Sequence, residues 1–218
     1  MSWAALTSGG KDSILAVQKA LDSGREVTTL LTVRPEDPDS YMFHSQNLDA
    51  VPAIARLAGM EYVEVPTLGR KEEELYDLED GLARLDIEGV VTGAVASEYQ
   101  KSRIGAIAKR LDLAVYAPLW QSDPATLLRE VAERLEAIIV VCAADGLDES
   151  FLGARIDGPL IDRLMKVASR HHIHPAGEGG EYETLTLNAP FYSRRLSYQA
   201  KKTVRSPGRC ALEISGFS

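Results

Sequence analysis

Trp3-Ala4-Ala5-Leu6, then Ser8-Gly9-Gly10-Lys11-Asp12-Ser13, then Ile14, Val17 and Leu21 at helical spacing: this opening stretch decides the fold. An apolar run, a glycine turn and an amphipathic run read as a strand, a tight turn and the first turn of a helix. Leu15 and Ala20 flank the helical stripe. Such a turn leaves backbone N–H groups at the positive end of the helix dipole, where an anion is favoured. Gly9 and Gly10 let an anion approach the backbone, Ser8 and Ser13 add hydroxyls, and Lys11 adds positive charge. Asp12 has the wrong sign for a pure anion cradle and suits one that receives a divalent cation with its phosphates. The common Gly-x-x-x-x-Gly-Lys-Ser/Thr phosphate loop does not fit, because Ala5 stands where its first glycine belongs and Asp12 follows Lys11.

Working outward, strand and helix alternate. Gly24 ends the first helix, and Glu26 to Val33 reads as a second strand. Pro35 and Pro38 hold a loop that delivers Tyr41-Met42-Phe43-His44 and a helix from about Asn47 to Gly59. Glu61 to Val65 is a third strand, and Lys71 to Leu85 a helix with Leu75, Leu78, Leu82 and Leu85 on one face. Gly89 to Thr92 is a fourth strand ending in Gly93-Ala94, Glu98 to Leu111 a helix, and Ala114 to Tyr116 a fifth strand. Helical crossovers between parallel strands give an α/β fold, an open five-stranded, mainly parallel sheet with helices on both faces. Ligands bind beyond the carboxyl ends of such strands, so the glycine loop, Tyr41 to His44 and Gly93 to Tyr99 are expected to converge on one crevice.

After Trp120 the rhythm changes. Ser122-Asp123-Pro124 starts a helix to about Glu136, Ala137 to Ala143 is a buried strand, and Asp157-Gly158-Pro159 opens a helix through Arg170. Tyr182 to Leu187, Arg195 to Lys202 and Cys210 to Ile214 read as short strands. We expect two units, residues 1–120 and a smaller α+β unit of residues 121–218 over the mouth of the first.

The 218 residues carry a formal net charge of −8, which argues against a nucleic-acid or anionic-membrane surface as the main partner. No apolar run is long enough to span a membrane, and the first residues read as a strand rather than a leader, so a cytoplasmic protein is expected. Cys142 and Cys210 are too few for a disulfide framework, and Cys142 sits in an apolar run as a core thiol. His171, His172 and His174 lack the second half of a zinc motif, and a helix C-terminus favours histidine by itself.

The second informative stretch is Gly177-Glu178-Gly179-Gly180-Glu181-Tyr182-Glu183-Thr184. Its glycines suit an unusual turn, and its carboxylates suit a divalent ion, an amine or general-base work. Tyr41 to His44 serves core packing or brings His44 to a nucleotide. Lys101 and Arg103 are solvated charges or neutralise phosphate charge.

The Ser8 to Ser13 stretch resembles the pyrophosphate loop of the ATP pyrophosphatases, which cleave ATP between its α and β phosphates. With Tyr41 to His44, Thr92-Gly93-Ala94, Ser97-Glu98-Tyr99-Gln100, Pro118-Leu119-Trp120 and the Gly177 to Thr184 motif, the chain is similar to the diphthine–ammonia ligases of archaea and eukaryotes. These pieces span nearly the whole chain in the family's order, and the last is the most specific. A sister branch linked to cobalamin metabolism differs there. Eukaryotic members carry extra C-terminal domains, so the resemblance implies a short, archaeal-type form. It implies ATP and magnesium as substrate and cofactor, diphthine on translation elongation factor 2 and ammonia as partners, and leaves a homodimer open. The roles it implies are phosphate binding by Ser8, Gly9, Gly10 and Ser13, charge stabilisation by Lys11, and magnesium binding by Asp12. Gly93, Ala94 and His44 would lie against the nucleotide. Glu98, Tyr99, Lys101, Gly179, Gly180 and Tyr182 would face the substrate, Tyr182 offering its ring to the trimethylammonium group. Glu178, Glu181 and Glu183 would be the reacting carboxylates on the diphthine and ammonia side. Two rivals are a tRNA-modifying enzyme of the same superfamily and a nucleotide-binding module without turnover.

Overall fold

A computed structural model describes residues 2–36, 48–68, 70, 72–206 and 208–218. Five strands, β1 (Ser2–Leu6), β2 (Glu26–Pro35), β3 (Glu61–Thr67), β4 (Gly89–Val91) and β5 (Ala114–Tyr116), form one sheet in the order β3-β2-β1-β4-β5. Every neighbouring pair in it is parallel. The crossovers are helices α1 (Lys11–Asp22), α2 (Val51–Ala58), α3 (Glu73–Ala83) and α4 (Glu98–Arg110). Local chemistry sets their ends: Gly24 takes φ +81° after α1, Gly59 takes φ +66° after α2, and the Ser97 hydroxyl accepts the Gln100 N–H at α4.

One sheet face is closed by α3 and α4, where Leu75, Leu78, Leu82, Ile104 and Ile107 meet Leu31, Val33 and Val65. The other is closed by α1 and α2. Strand order reverses between β1 and β4, and the loops after these two strands open the crevice there.

The remaining chain forms α5 (Pro124–Arg134), β6 (Glu136–Cys142), α6 (Gly158–His171), β7 (Tyr182–Asn188), β8 (Gln199–Ser206) and β9 (Arg209–Ser215). Asp123 and Asp157 cap α5 and α6 by accepting the N–H groups of Thr126 and Leu160. The four strands make a second, antiparallel sheet in the order β7-β6-β9-β8.

This sheet and α5 pack on α1, so α1 is enclosed on two sides. Ile14, Leu15, Ala16 and Val17 are all fully buried, and one apolar cluster runs from the first sheet through α1 into β6 and β7. The expected single stripe on α1 is thus too narrow, since a helix between two layers needs apolar residues all round.

Two other expectations change. The strand expected from Arg195 runs from Gln199 to Ser206, because the residues before it bond elsewhere: Arg195 pairs with Glu136, Leu196 N–H donates to Leu187 and Ser197 N–H to Ser218. The helix expected from Asn47 is, in the described residues, a short 3-10 turn at Leu48–Ala50 followed by α2. Cys142 is buried as expected, and it stands opposite Cys210, also buried, on β6 and β9. Tyr41 to His44, with the His44 assignment, lies outside the described residues. Among the described residues no helix is long and apolar enough to cross a membrane.

Candidate active site

The turn after β1 is held by a relay of hydroxyls. Gly9 N–H donates to Thr7 Oγ1 at 2.9 Å, Thr7 Oγ1 lies 2.8 Å from Ser13 Oγ, and Ser13 Oγ donates to the Gly10 carbonyl at 3.0 Å. A hydroxyl has one proton, so Ser13 spends its own on Gly10 and accepts the one from Thr7. Ser13 therefore braces the turn. Gly9 sits at φ +79°, which a side chain would resist. Helix geometry leaves the N–H groups of Asp12 and Ser13 without intrahelical acceptors. Gly93 lies directly over them: a Cβ on Gly93 would stand 2.7 Å from Ser13 N and 2.8 Å from the Asp12 carbonyl carbon. Only glycine lets the end of β4 approach so closely.

The second sheet clamps this turn. Lys11 N–H donates to Thr184 Oγ1 at 3.0 Å, and Thr186 N–H donates to the Gly9 carbonyl at 2.9 Å. Lys11 is 3% exposed, and its ammonium reaches inward to the Ala176 carbonyl at 2.6 Å and Asp12 Oδ2 at 2.7 Å. It lies 5.3 Å from the centre of the Tyr182 ring. Burial pushes the Asp12 carboxyl above its ordinary value, Lys11 opposing it. Asp12 Oδ1 is covered and has no hydrogen-bond partner among the described residues. An acceptor left over in this way beside an anion-binding turn fits a divalent cation such as magnesium, which takes one or two carboxylates and fills its remaining positions with phosphate and water.

The late glycine motif forms the opposite wall. Gly177 and Gly180 adopt φ +76° and +81°. Glu181 pins the turn, its carboxylate accepting the N–H groups of His174 at 2.7 Å and Gly179 at 2.8 Å. Glu178 reaches across to the first unit, where Oε1 accepts from Val95, Ala96 and Ser97 N–H at 3.3, 2.9 and 3.2 Å. Tyr182 is 3% exposed, and its hydroxyl donates to the Pro175 carbonyl. The ring expected to meet a cationic substrate stands beside the Lys11 ammonium.

These parts enclose a cleft of about 1140 Å³, its open mouth included. Ser8, Gly10, Lys11, Asp12, Ser13, Gly93, Ala94, Glu178, Tyr182 and Glu183 all line it, as does Gly177. Its apolar part is Leu31, Val33, Leu48 and Ile104. Glu98, Tyr99 and Lys101 are not among its lining residues. Tyr99 donates to Glu72 and Lys101 sits 4.0 Å from the centre of the Trp120 ring, while Gln100 and Ile104, four apart, are the α4 residues facing the cleft. Helical period counted from the Ser97 cap carries that phase. Thr7 and Thr184, which also line the cleft, were given no role in the sequence reading, because the backbone N–H groups they accept from are set by the fold. Among the described residues no group of three His, Cys, Asp or Glu side chains is placed to hold a metal ion unaided. His172 ends α6 at φ +56°.

A glycine turn at the switch point of a parallel sheet, with a buried lysine and an unpartnered carboxylate oxygen, defines a nucleotide-binding α/β protein of the pyrophosphate-loop type. Residues 1–115 match the family model of the diphthamide synthase N-terminal domain and residues 123–214 that of the diphthamide synthase C-terminal domain. The chain belongs to the diphthamide synthase family.

A diphthine–ammonia ligase of Rattus norvegicus is 34% identical over 228 residues, covering 94% of this chain and 85% of the relative. The Homo sapiens protein of the same name is 31% identical over the same shares. That of Schizosaccharomyces pombe is 34% identical, covering 96% of this chain but only 38% of the relative. Long extra sequence therefore marks the yeast relative and not the mammalian ones, which corrects the expectation for eukaryotic members. The crystal structure of a predicted subunit of a tRNA methyltransferase from Methanocaldococcus jannaschii superposes with a TM-score of 0.50 at 16% identity, over 87% of this chain and 98% of that one. This likeness concerns the fold alone.

Proposed function

We propose that this protein amidates diphthine on translation elongation factor 2 to diphthamide, in the cytoplasm, at the expense of ATP. The observation that carries the reading is the cleft itself, in which the pyrophosphate-type turn and the late glutamate motif face each other. Family membership and the names of the relatives support it.

In this reading the phosphates lie on the turn, held by the Asp12 and Ser13 N–H groups, the Ser8 hydroxyl and the helix dipole. Leu31, Val33, Leu48 and Ile104 take the flat base, and Gly93 and Ala94 lie against the nucleotide. Asp12 would hold magnesium, whose charge would offset that of the phosphates. Lys11 supplies a desolvated positive charge where negative charge grows, which is worth more in a closed cleft than in water. The diphthine carboxylate attacks the α-phosphorus, pyrophosphate leaves, and an acyl adenylate results. Ammonia then attacks the acyl carbon, the bond to AMP breaks, and the amide forms with loss of a proton. Glu183, which lines the cleft, would be a carboxylate on the substrate side.

The test is AMP release from ATP with magnesium and ammonium, using elongation factor 2 with and without diphthine. AMP appearing with the diphthine form alone, and abolished in Lys11→Ala, is the expected result. AMP with neither form overturns it.

A further inference from the structure

Three backbone donors converge on one carboxylate oxygen. Val95, Ala96 and Ser97 are the last residues before α4, and the dipole of this 13-residue helix adds to their attraction for Glu178 Oε1. On the other side, the Glu178 backbone belongs to a turn braced by Glu181 and shaped by Gly177 and Gly180. Glu178 therefore spans 81 to 83 positions of chain and ties the second unit to the segment that follows β4. That segment begins with Gly93 and Ala94, which line the cleft, and leads to Gln100 and Ile104, which line it too.

We propose that Glu178 is a positioning residue of the nucleotide site: through Oε1 it fixes the segment after β4 and the start of α4 against the pyrophosphate-type turn. The inference rests on the function proposed above for the reaction, but not for the nucleotide site itself. It follows from what Oε1 does. An oxygen accepting three N–H bonds has its lone pairs engaged by the backbone and is committed to holding it in place. What the three donors need is an oxygen of the right reach, and a glutamine carbonyl supplies one, though without charge assistance. An alanine supplies none and leaves the donors unpaired.

The experiment compares Glu178→Gln and Glu178→Ala with the unaltered chain by ATP binding without protein substrate, by the KM for ATP and for diphthine-bearing elongation factor 2, and by thermal melting. The expected result is ATP binding weakened about tenfold in the alanine variant and within about threefold in the glutamine variant, the KM for the protein substrate being unchanged in both. If glutamine is as damaging as alanine while ATP binding is intact, Glu178 acts through its charge on the substrate and the proposal is overturned. If the alanine variant fails to fold, the glutamine variant decides by the same two readouts. Should the chain release no AMP with diphthine, the reaction reading fails, and the ATP-binding arm still judges the role of Glu178.

Discussion

The backbone N–H of Lys11 donates to the side-chain hydroxyl of Thr184 at 3.0 Å, across 173 positions of the chain. Two segments that resemble separate motifs in the sequence are thus one object in space. The turn that begins the first helix is shaped partly by a strand from the far end of the chain.

Thr184→Val keeps the shape of the side chain and removes the acceptor. We expect a loss of about 1 kcal/mol in stability and a KM for ATP raised by about tenfold, with Thr184→Ser near the unaltered chain. Denaturant titration and initial-rate measurements check it. A normal KM in the valine variant would show that the turn holds its shape without the second sheet.

At Gly93 the neighbours are backbone atoms, which cannot swing aside. Gly93→Ala is expected to cost about 1–3 kcal/mol and to abolish ATP binding, since the displaced groups are Asp12 and Ser13. Gly105, inside α4 with nothing within 4 Å of an added Cβ, is the control, and Gly105→Ala should stabilise by about 0.5–1 kcal/mol. Calorimetric melting with and without ATP separates the two sites.

Asp12 carries a stability penalty. Its carboxyl is raised above the ordinary 3.8, by burial first, with Lys11 opposing. A folded value above the unfolded one means that ionisation disfavours the folded state. The penalty is absent below 3.8, grows as pH rises through the folded value and is complete above it. Asp12→Asn should therefore melt no lower than the unaltered chain at about pH 7 and together with it at about pH 3, while releasing no AMP. A lower melting temperature at neutral pH would mean that the pair with Lys11 outweighs burial.

The Cys142 thiol is pushed up to about 12 by burial, with Cys210 beside it adding to the shift. At about pH 8 its thiolate fraction is on the order of one in ten thousand. Alkylation by iodoacetamide should leave Cys142 unmodified in the folded protein and modify it after unfolding in guanidinium. Mass spectrometry of the tryptic peptides reads both states, and prompt labelling of Cys142 in the native state would contradict the buried pairing of β6 and β9.

Much was legible from neighbouring residues. The first strand, the glycine turn, the helix starts at Asp123 and Asp157, and the five alternating strands all follow from interactions a few residues long. Placement of Gly10, Asp12 and Gly93 on one cleft follows from the rule that parallel strands aim their carboxyl ends at a common crevice.

What the chain could not declare by itself is where its polar groups spend their bonds. Glu178 and Glu181 look alike in the motif, yet one braces a turn and the other crosses to the first unit. Tyr182 looks like a platform for a cation and is buried over Lys11. Tyr99 and Lys101 sit beside residues of the cleft and turn to Glu72 and Trp120. A carboxylate or a ring takes the partner within about 3–5 Å, and which partner that is depends on how the second sheet seats against α1. The sequence alone determined the elements, their order and the anion-binding turn, because propensity, capping and period act over a few residues. Tertiary structure alone decided that Glu178 is the carboxylate joining the two layers, because its donors lie 81 to 83 positions away and meet it only once both layers close on α1.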